Sequence, residues 1–166
     1  SSLSIPEFII DLAAPNLVKV TAIPTPSNNQ TPSFVFTTNK EGTITTNISQ
    51  GFSTSSTATT GSDQTVTFNT LPEGTYSGKT ITVTDAAGNT SSLSIPEFII
   101  DTTPPVITSG ASGITLMENS GTGQTVYIIT AIGTVGATSY AIAGDDANLL
   151  SVNSSTGAVT LNANPD

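Results

Sequence analysis

The side chains in this chain that could do chemistry are almost all carboxylates. Asp and Glu number twelve, against three basic residues, Lys19, Lys40 and Lys79, for a net charge of −9. His and Cys are absent. That removes imidazole bases, thiol nucleophiles, disulfides and zinc sites built from Cys and His. Ser and Thr are abundant, but a hydroxyl needs an adjacent base to become a nucleophile, and none lies nearby in sequence. Two carboxylates across a cleft can hydrolyse a glycoside. Twelve acids can always be paired on paper, however, and no Gly-rich phosphate loop leads from a strand into a helix. The expectation is that the chain is not an enzyme. What scattered carboxylates can do is hold a hard divalent cation through oxygen ligands.

The charge balance excludes two partners. Nucleic acid demands clustered cations to neutralise phosphates, and anionic lipid demands the same; three dispersed lysines supply neither. No membrane span and no signal peptide are visible, so no direct membrane insertion is expected. The Asn-x-Ser/Thr triplets at Asn29, Asn47, Asn89 and Asn153 are what chance gives in a chain this rich in Ser, Thr and Asn.

The elements that must position these acids are organised by a repeat. Ser1 to Asp11 reads SSLSIPEFIID and returns unchanged at Ser91 to Asp101, a period of 90 residues. An eleven-residue identity marks a tandem array. Phe98-Ile99-Ile100 is a short apolar run between Pro and Asp, the pattern of a buried strand closing a domain. Residues 1–11 are accordingly read as the closing strand of a preceding repeat, and residues 12–101 as a full one. Within it, Ser33 to Thr37, Thr65 to Phe68 and Thr80 to Thr84 alternate with period two, and Leu93 to Ile100 reads as one closing strand. Tyr76 is read as opening the strand before Thr80. Turns recur every eight to twelve residues, at Asn39-Lys40-Glu41-Gly42, Leu71-Pro72-Glu73-Gly74 and Asp85-Ala86-Ala87-Gly88-Asn89. Seven short strands with no helical pattern predict a Greek-key β-sandwich. In such a sandwich the Asp85 hairpin lies at the same end as the incoming segment. Asp11 and Asp85 are therefore neighbours and a candidate metal pair, with a turn-forming Asp85 as the competing reading.

Residues 71–76, followed by Ile81-Thr82-Val83-Thr84-Asp85-Ala86-Ala87-Gly88-Asn89, resemble the bacterial Ig-like repeats of large surface adhesins. Asp101-Thr102-Thr103-Pro104-Pro105 is similar to their linker. The resemblance implies that Tyr76 is a tyrosine-corner residue, its hydroxyl bonded back to a nearby backbone group. Some relatives carry a Cys pair that would fall near Gly51 and Lys79; this chain has neither Cys. Pro104 and Pro105 restrict the linker, residues 102–105, to extended geometries.

Residues 106–166 are a different unit. Thr125 to Ile129, Ser139 to Ala143, Leu150 to Asn153 and Ala158 to Leu161 read as strands. Glu118-Asn119, Tyr140 to Asp146, Ser155 to Leu161 and Asn164-Pro165-Asp166 together resemble a cadherin-like repeat, here incomplete. That resemblance implies a calcium half-site with Glu118, Asp145 or Asp146, and Asp166 as ligands. The loop Ala131 to Gly136 departs from the pattern, because it lacks the Asp-x-Asp such repeats usually carry.

The whole then reads as all-β, tandem Greek-key sandwiches, Ig-like then cadherin-like. The resemblance implies a stalk segment of a large secreted surface adhesin, located outside the bacterial cell, with neighbouring repeats of the same chain as its partners. Two alternatives stand beside it. One is a filament subunit assembling head to tail, with residues 1–11 donated as a strand to a second copy. The other is a glycan- or protein-binding module using an exposed aromatic, for which Phe52 is the candidate because it lies in a Gly/Ser/Thr segment.

Overall fold

In the computed structural model of the chain, the regular elements are strands, and the one helical element among the described residues is a 3-10 turn, Ala147–Leu149. The structure describes residues 3, 4, 6, 8–133 and 139–164. The chain divides into two compact units, Ser1–Thr102 and Thr103–Asp166.

Among the described residues the first unit contains nine strands. They are β1 (Leu17–Thr21), β2 (Ser33–Thr38), β3 (Gly42–Thr46), β4 (Thr57–Ala58), β5 (Gln64–Thr67), β6 (Gly74–Tyr76), β7 (Lys79–Thr84), β8 (Thr90–Ile95) and β9 (Phe98–Ile100). One sheet runs β1-β2-β5, a second β4-β3-β7-β8, and β6 pairs with β9. Period-two alternation decides which side chains meet between the sheets. Phe34 and Phe36 of β2 and Val66 of β5 face Ile44 of β3 and Ile81 and Val83 of β7 in one buried cluster. Phe68, Leu71, Phe98 and Ile100 also belong to it, each with no exposed surface. Fully burying side chains of this kind stabilises by about 1.5–3 kcal/mol each, so this cluster is the main support of the unit.

The same alternation carries polar residues onto the core face, among them Thr38 and Asp85. Thr38 follows Phe36 by two positions, and Asp85 follows Val83 by two. Both are buried, at 5% and 8% exposure. They end their rows at one end of the sandwich, and the functional site is built there.

Three expectations are corrected here. The closing strand is broken, because β8 ends at Ile95 and β9 starts at Phe98. Pro96 sits in the gap, where it has no N–H to give to a ladder. The pairing register is nevertheless unchanged across the gap, since Tyr76 faces Phe98 and Lys79 faces Ile95. Tyr76 therefore ends β6 instead of opening the next strand, and the strand count rises from seven to nine. Phe52 is not a free aromatic: it bridges to Phe68 and packs against the core cluster.

The second unit contains β10 (Val106–Ile107), β11 (Thr125–Ile128), β12 (Ala131–Ile132), β13 (Leu150–Val152) and β14 (Ala158–Leu161). Its sheets are β10-β12 and β11-β14-β13. Residues 139–143 form no strand; Tyr140 N–H makes a single backbone bond, to the Ser154 carbonyl. Val159 is the one buried hydrophobic residue of this unit among the described residues. Ile107, Ile114 and Ile128 are more than half exposed. An open apolar groove of about 570 Å³ runs between Ile114, Val126, Ile142, Leu150 and Val159.

Candidate functional site

The polar site at the end of the first sandwich is assembled from three segments. The first is the incoming chain, Asp11 to Asn16, which has no strand of its own. The second is the turn between β2 and β3, carrying Asn39 and Lys40. The third is the β7–β8 hairpin, Asp85 to Asn89. Each segment has a local reason for its shape. In the β2–β3 turn, the buried Thr38 hydroxyl donates to the Lys40 carbonyl at 2.9 Å and accepts from the Lys40 N–H at 3.2 Å. In the hairpin, Asp85 Oδ1 accepts from the N–H groups of Ala87 at 3.0 Å and Asn89 at 2.9 Å. Gly88 takes the positive φ of 89° that this turn requires, a conformation other residues resist.

Gly42 brings the two loops together. A Cβ on Gly42 would stand 2.4 Å from the Thr84 carbonyl oxygen, so only glycine allows β3 to approach the end of β7 this closely. Lys40 then reaches across to the hairpin. Its ammonium donates to both oxygens of Asp11, at 2.7 and 2.8 Å, and to Asp85 Oδ2 at 3.0 Å. It also donates to the Ala13 carbonyl. Asn89 adds a second tie, with Nδ2 donating to the Asp11 carbonyl at 3.0 Å and to Asp85 Oδ2 at 3.1 Å. A third comes from Asn39, whose Oδ1 accepts from the Asn16 N–H at 2.7 Å.

The electrostatics follow from these bonds. Burial pushes the Asp85 carboxyl up, but hydrogen bonds from Asn89 and Lys40 outweigh it and lower the pKa to about 2. The Lys40 hydrogen bond, aided by the Ala13 N–H, lowers that of Asp11. Lys40 in turn is raised, first by its bond to Asp11; desolvation opposes this, and the bond to Asp85 adds to it. All three groups are therefore held in their charged forms across neutral pH.

Asp11 and Asp85 are neighbours in this arrangement, and an ammonium group stands between them. One of the pair's two negative charges is already offset from within the chain. Asp85 also makes the turn bonds of the competing reading. Sequence reasoning missed Lys40 and Asn89. The signal for Lys40 was present, since the β2–β3 turn falls at the same end of the sandwich as the Asp85 hairpin.

Tyr76 lies at the far end of the hairpin that carries Asp85. Its hydroxyl donates to the Pro72 carbonyl at 2.8 Å, and its ring stacks on Phe98 with centroids 4.9 Å apart. Burial raises its pKa. Pro104 and Pro105 are exposed. Lys79, near which the resemblance would put one of a Cys pair, lies beside a hydrogen-bonded edge. There Asn47 donates to the Gly78 carbonyl at 3.1 Å and accepts from the Thr80 N–H at 2.9 Å.

The described acids of the second unit are not brought together. Glu118, Asp145 and Asp146 are exposed, and no three Asp, Glu, His or Cys gather among the described residues. Asp166 lies outside the described residues, as do Thr134 to Gly136 of the acid-free loop. Among the described residues no set of oxygen ligands converges six to eight strong, as a calcium site requires.

A two-sheet all-β sandwich with an ionic tie at one end and a tyrosine bonded to backbone at the other belongs to the Ig-like class. The sequence profile of the bacterial Ig-like domain matches residues 5–102, and the chain belongs to that family. No curated protein matches it. Among solved structures it is similar to the protocadherin gammaB4 extracellular domain, at 19% identity over 92% of this chain and 28% of that one, with a TM-score of 0.41. A protocadherin gammaB7 EC3-6 cis-dimer structure is 20% identical over 92% of this chain and 43% of that one, at a TM-score of 0.37. Extracellular cadherin domains 3-6 of protocadherin gamma B2 give 19%, 92%, 43% and 0.39. The chain spans less than half the length of each of these structures. No helix among the described residues is long and apolar enough to cross a membrane.

Proposed function

We propose that this chain is a stalk segment of a large, secreted bacterial surface protein. It spaces a binding tip from the cell and carries load along its length. The observation that carries this reading is the identical eleven-residue stretch at a spacing of 90, with a folded Ig-like sandwich between the copies. Residues 12–101 form the body of one repeat, 102–105 a linker, and 106–166 a unit of a second, cadherin-like kind. Residues 1–11 are the closing strand of a repeat of the first kind. The role is mechanical and not catalytic. Small-angle scattering on chains with one, two and three copies of residues 12–101, each entered through residues 1–11, tests it. A constant gain in maximum dimension per copy supports a spacer. Chains that stay equally compact as copies are added would refute it.

A second reading is favoured by one specific pair of features. Phe8, Ile9 and Ile10 are 73%, 88% and 73% exposed, and the second unit holds an open apolar groove. A second copy could lay its Phe8 to Ile10 in that groove, giving a head-to-tail contact that propagates into a filament. Deleting residues 1–10 discriminates. Oligomers that become monomers on deletion support donation; monomers with and without the deletion, at high concentration, end it.

A further inference from the structure

The tie at Asp11 has a meaning beyond this repeat's own stability. Asp11 is the last residue of a stretch identical to the one that closes the Ig-like sandwich at Asp101. A repeat of this kind therefore ends in Phe-Ile-Ile-Asp. In the structure that terminal Asp is gripped by the repeat that follows it, through Lys40 and Asn89, and Lys40 also donates to the Ala13 carbonyl two residues on. We propose that Lys40 is a built-in cation that fastens consecutive Ig-like repeats at their joint, its partner being the carboxylate that ends the closing strand of the preceding repeat. The inference rests on the reading of the chain as part of a repeat array.

The chemistry of the grip supports a purpose-built receptor. The ammonium meets four oxygens, three from two carboxylates and one from a carbonyl, as a small hard cation would. Its own positive charge takes the place a metal would fill, so the joint needs no added ion. The receptor side is anchored by its own loops. Asp85 is 5% exposed at its side chain and is held by the hairpin, while Lys40 is 22% exposed and held by the Thr38 turn. The incoming side is open, with Asp11 at 39% exposure. A loop-anchored cation, backed by the buried Asp85, and a more exposed arriving carboxylate suit a docking contact between successive modules. The tie holds Asp11, the last residue of the stretch, so it limits the swing of the entering chain and not the sandwich itself.

The test is amide relaxation on the full, isotope-labelled chain. With EDTA present, Leu12, Ala13 and Ala14 should show order parameters near the rigid value of about 0.85. In Lys40→Gln they should fall to flexible-loop values, below about 0.6, while the Ile81 and Ile100 resonances stay in place. If Lys40→Gln perturbs those core resonances, Asp11→Asn carries the test, because Asp11 lies outside the sandwich; it should release the segment in the same way. A segment that stays ordered in the readable variant overturns the proposal. So does a wild-type segment that is mobile in EDTA. Either outcome leaves the scattering test of the stalk untouched, so the two ideas fail separately.

Discussion

Gly42→Ala separates two effects of opposite sign. Gly42 has no positive φ, so alanine fits its backbone angles. At such a position Gly→Ala ordinarily stabilises by about 0.4–1 kcal/mol, by narrowing the unfolded ensemble. Here the new Cβ would lie 2.4 Å from the Thr84 carbonyl oxygen, 2.9 Å from the Thr84 carbonyl carbon and 2.9 Å from Val83 Cγ1. Two of these atoms are backbone of a paired strand and cannot swing aside. Relief requires β3 to withdraw from β7, which stretches the ladder between Thr43 and Thr84. Overpacking of this kind costs about 1–3 kcal/mol, and the upper half of that range applies to a backbone clash. Subtracting the entropic gain leaves a net loss of about 1–2 kcal/mol. For a unit of this size the urea slope is about 1 kcal/mol per molar, so the midpoint should drop by about 1–2 M. The Ile81 methyl resonance reports unfolding of this unit alone. A midpoint that stays put or rises would show that β3 and β7 are not as close as described. The account of how Lys40 reaches Asp85 would fall with it.

Tyr76→Phe should destabilise the same unit by about 0.5–1.5 kcal/mol through loss of the bond to Pro72, with the ring stack on Phe98 intact; an unchanged urea midpoint would show that bond to be idle. The Asp85 carboxyl is lowered from its ordinary 3.8 to about 2, so its contribution is complete above about pH 4 and is lost as the pH falls towards 2. Melting temperatures measured down that range should decline more gently in Asp85→Asn once both start from their neutral-pH values, and parallel slopes would contradict the assignment. Lys40 is raised, so its share is present below its ordinary value of 10.5 and is lost as the pH climbs through the higher folded value. Because Glu118, Asp145 and Asp146 do not converge, melting curves of this chain in EDTA and in millimolar calcium should superimpose; a calcium-dependent rise abolished by replacing Glu118 and Asp166 together would place a site there after all.

The sandwich was legible because its signals were local and repeated. Alternation in Ser33 to Thr37 and Thr80 to Thr84, with turns at Asn39 and Asp85, is enough to place β2, β7 and the loops between them. Pro96 was equally visible, yet its effect was not, because a proline gap can end a strand or merely interrupt a register that continues. Phe52 was misjudged for a related reason. Its neighbours are small and polar, which reads as a loop, but burial depends on what lies across the sheet, and there Phe68 waits. The ionic tie was half legible. Topology placed Asp11 beside Asp85, and charge alone suggested an ion between them. That the ion is Lys40 followed only from the close approach that Gly42 permits, a contact between strands that no spacing along the chain encodes.

The two copies of SSLSIPEFIID set the limit of such reasoning inside one molecule. Phe98 and Ile100 are wholly buried, while Phe8 and Ile10, with the same neighbours on either side back to Ser1 and Ser91, are each 73% exposed. Local propensity is identical for both copies, so it cannot be what makes β9 a strand. The difference is what each copy meets. Residues 98–100 find β6 in register and the parallel bridge from Ser27, whereas residues 8–10 have no strand pairing. The strand therefore forms because a sandwich is present to receive it, at about 1.5–3 kcal/mol for each large apolar side chain covered. Asp11 shows the converse. Its ion pair and hydrogen bonds fasten the exposed copy at its last residue, without any apolar burial there. In an array this divides the labour: the apolar part of the stretch closes one repeat, and its terminal carboxylate attaches the next.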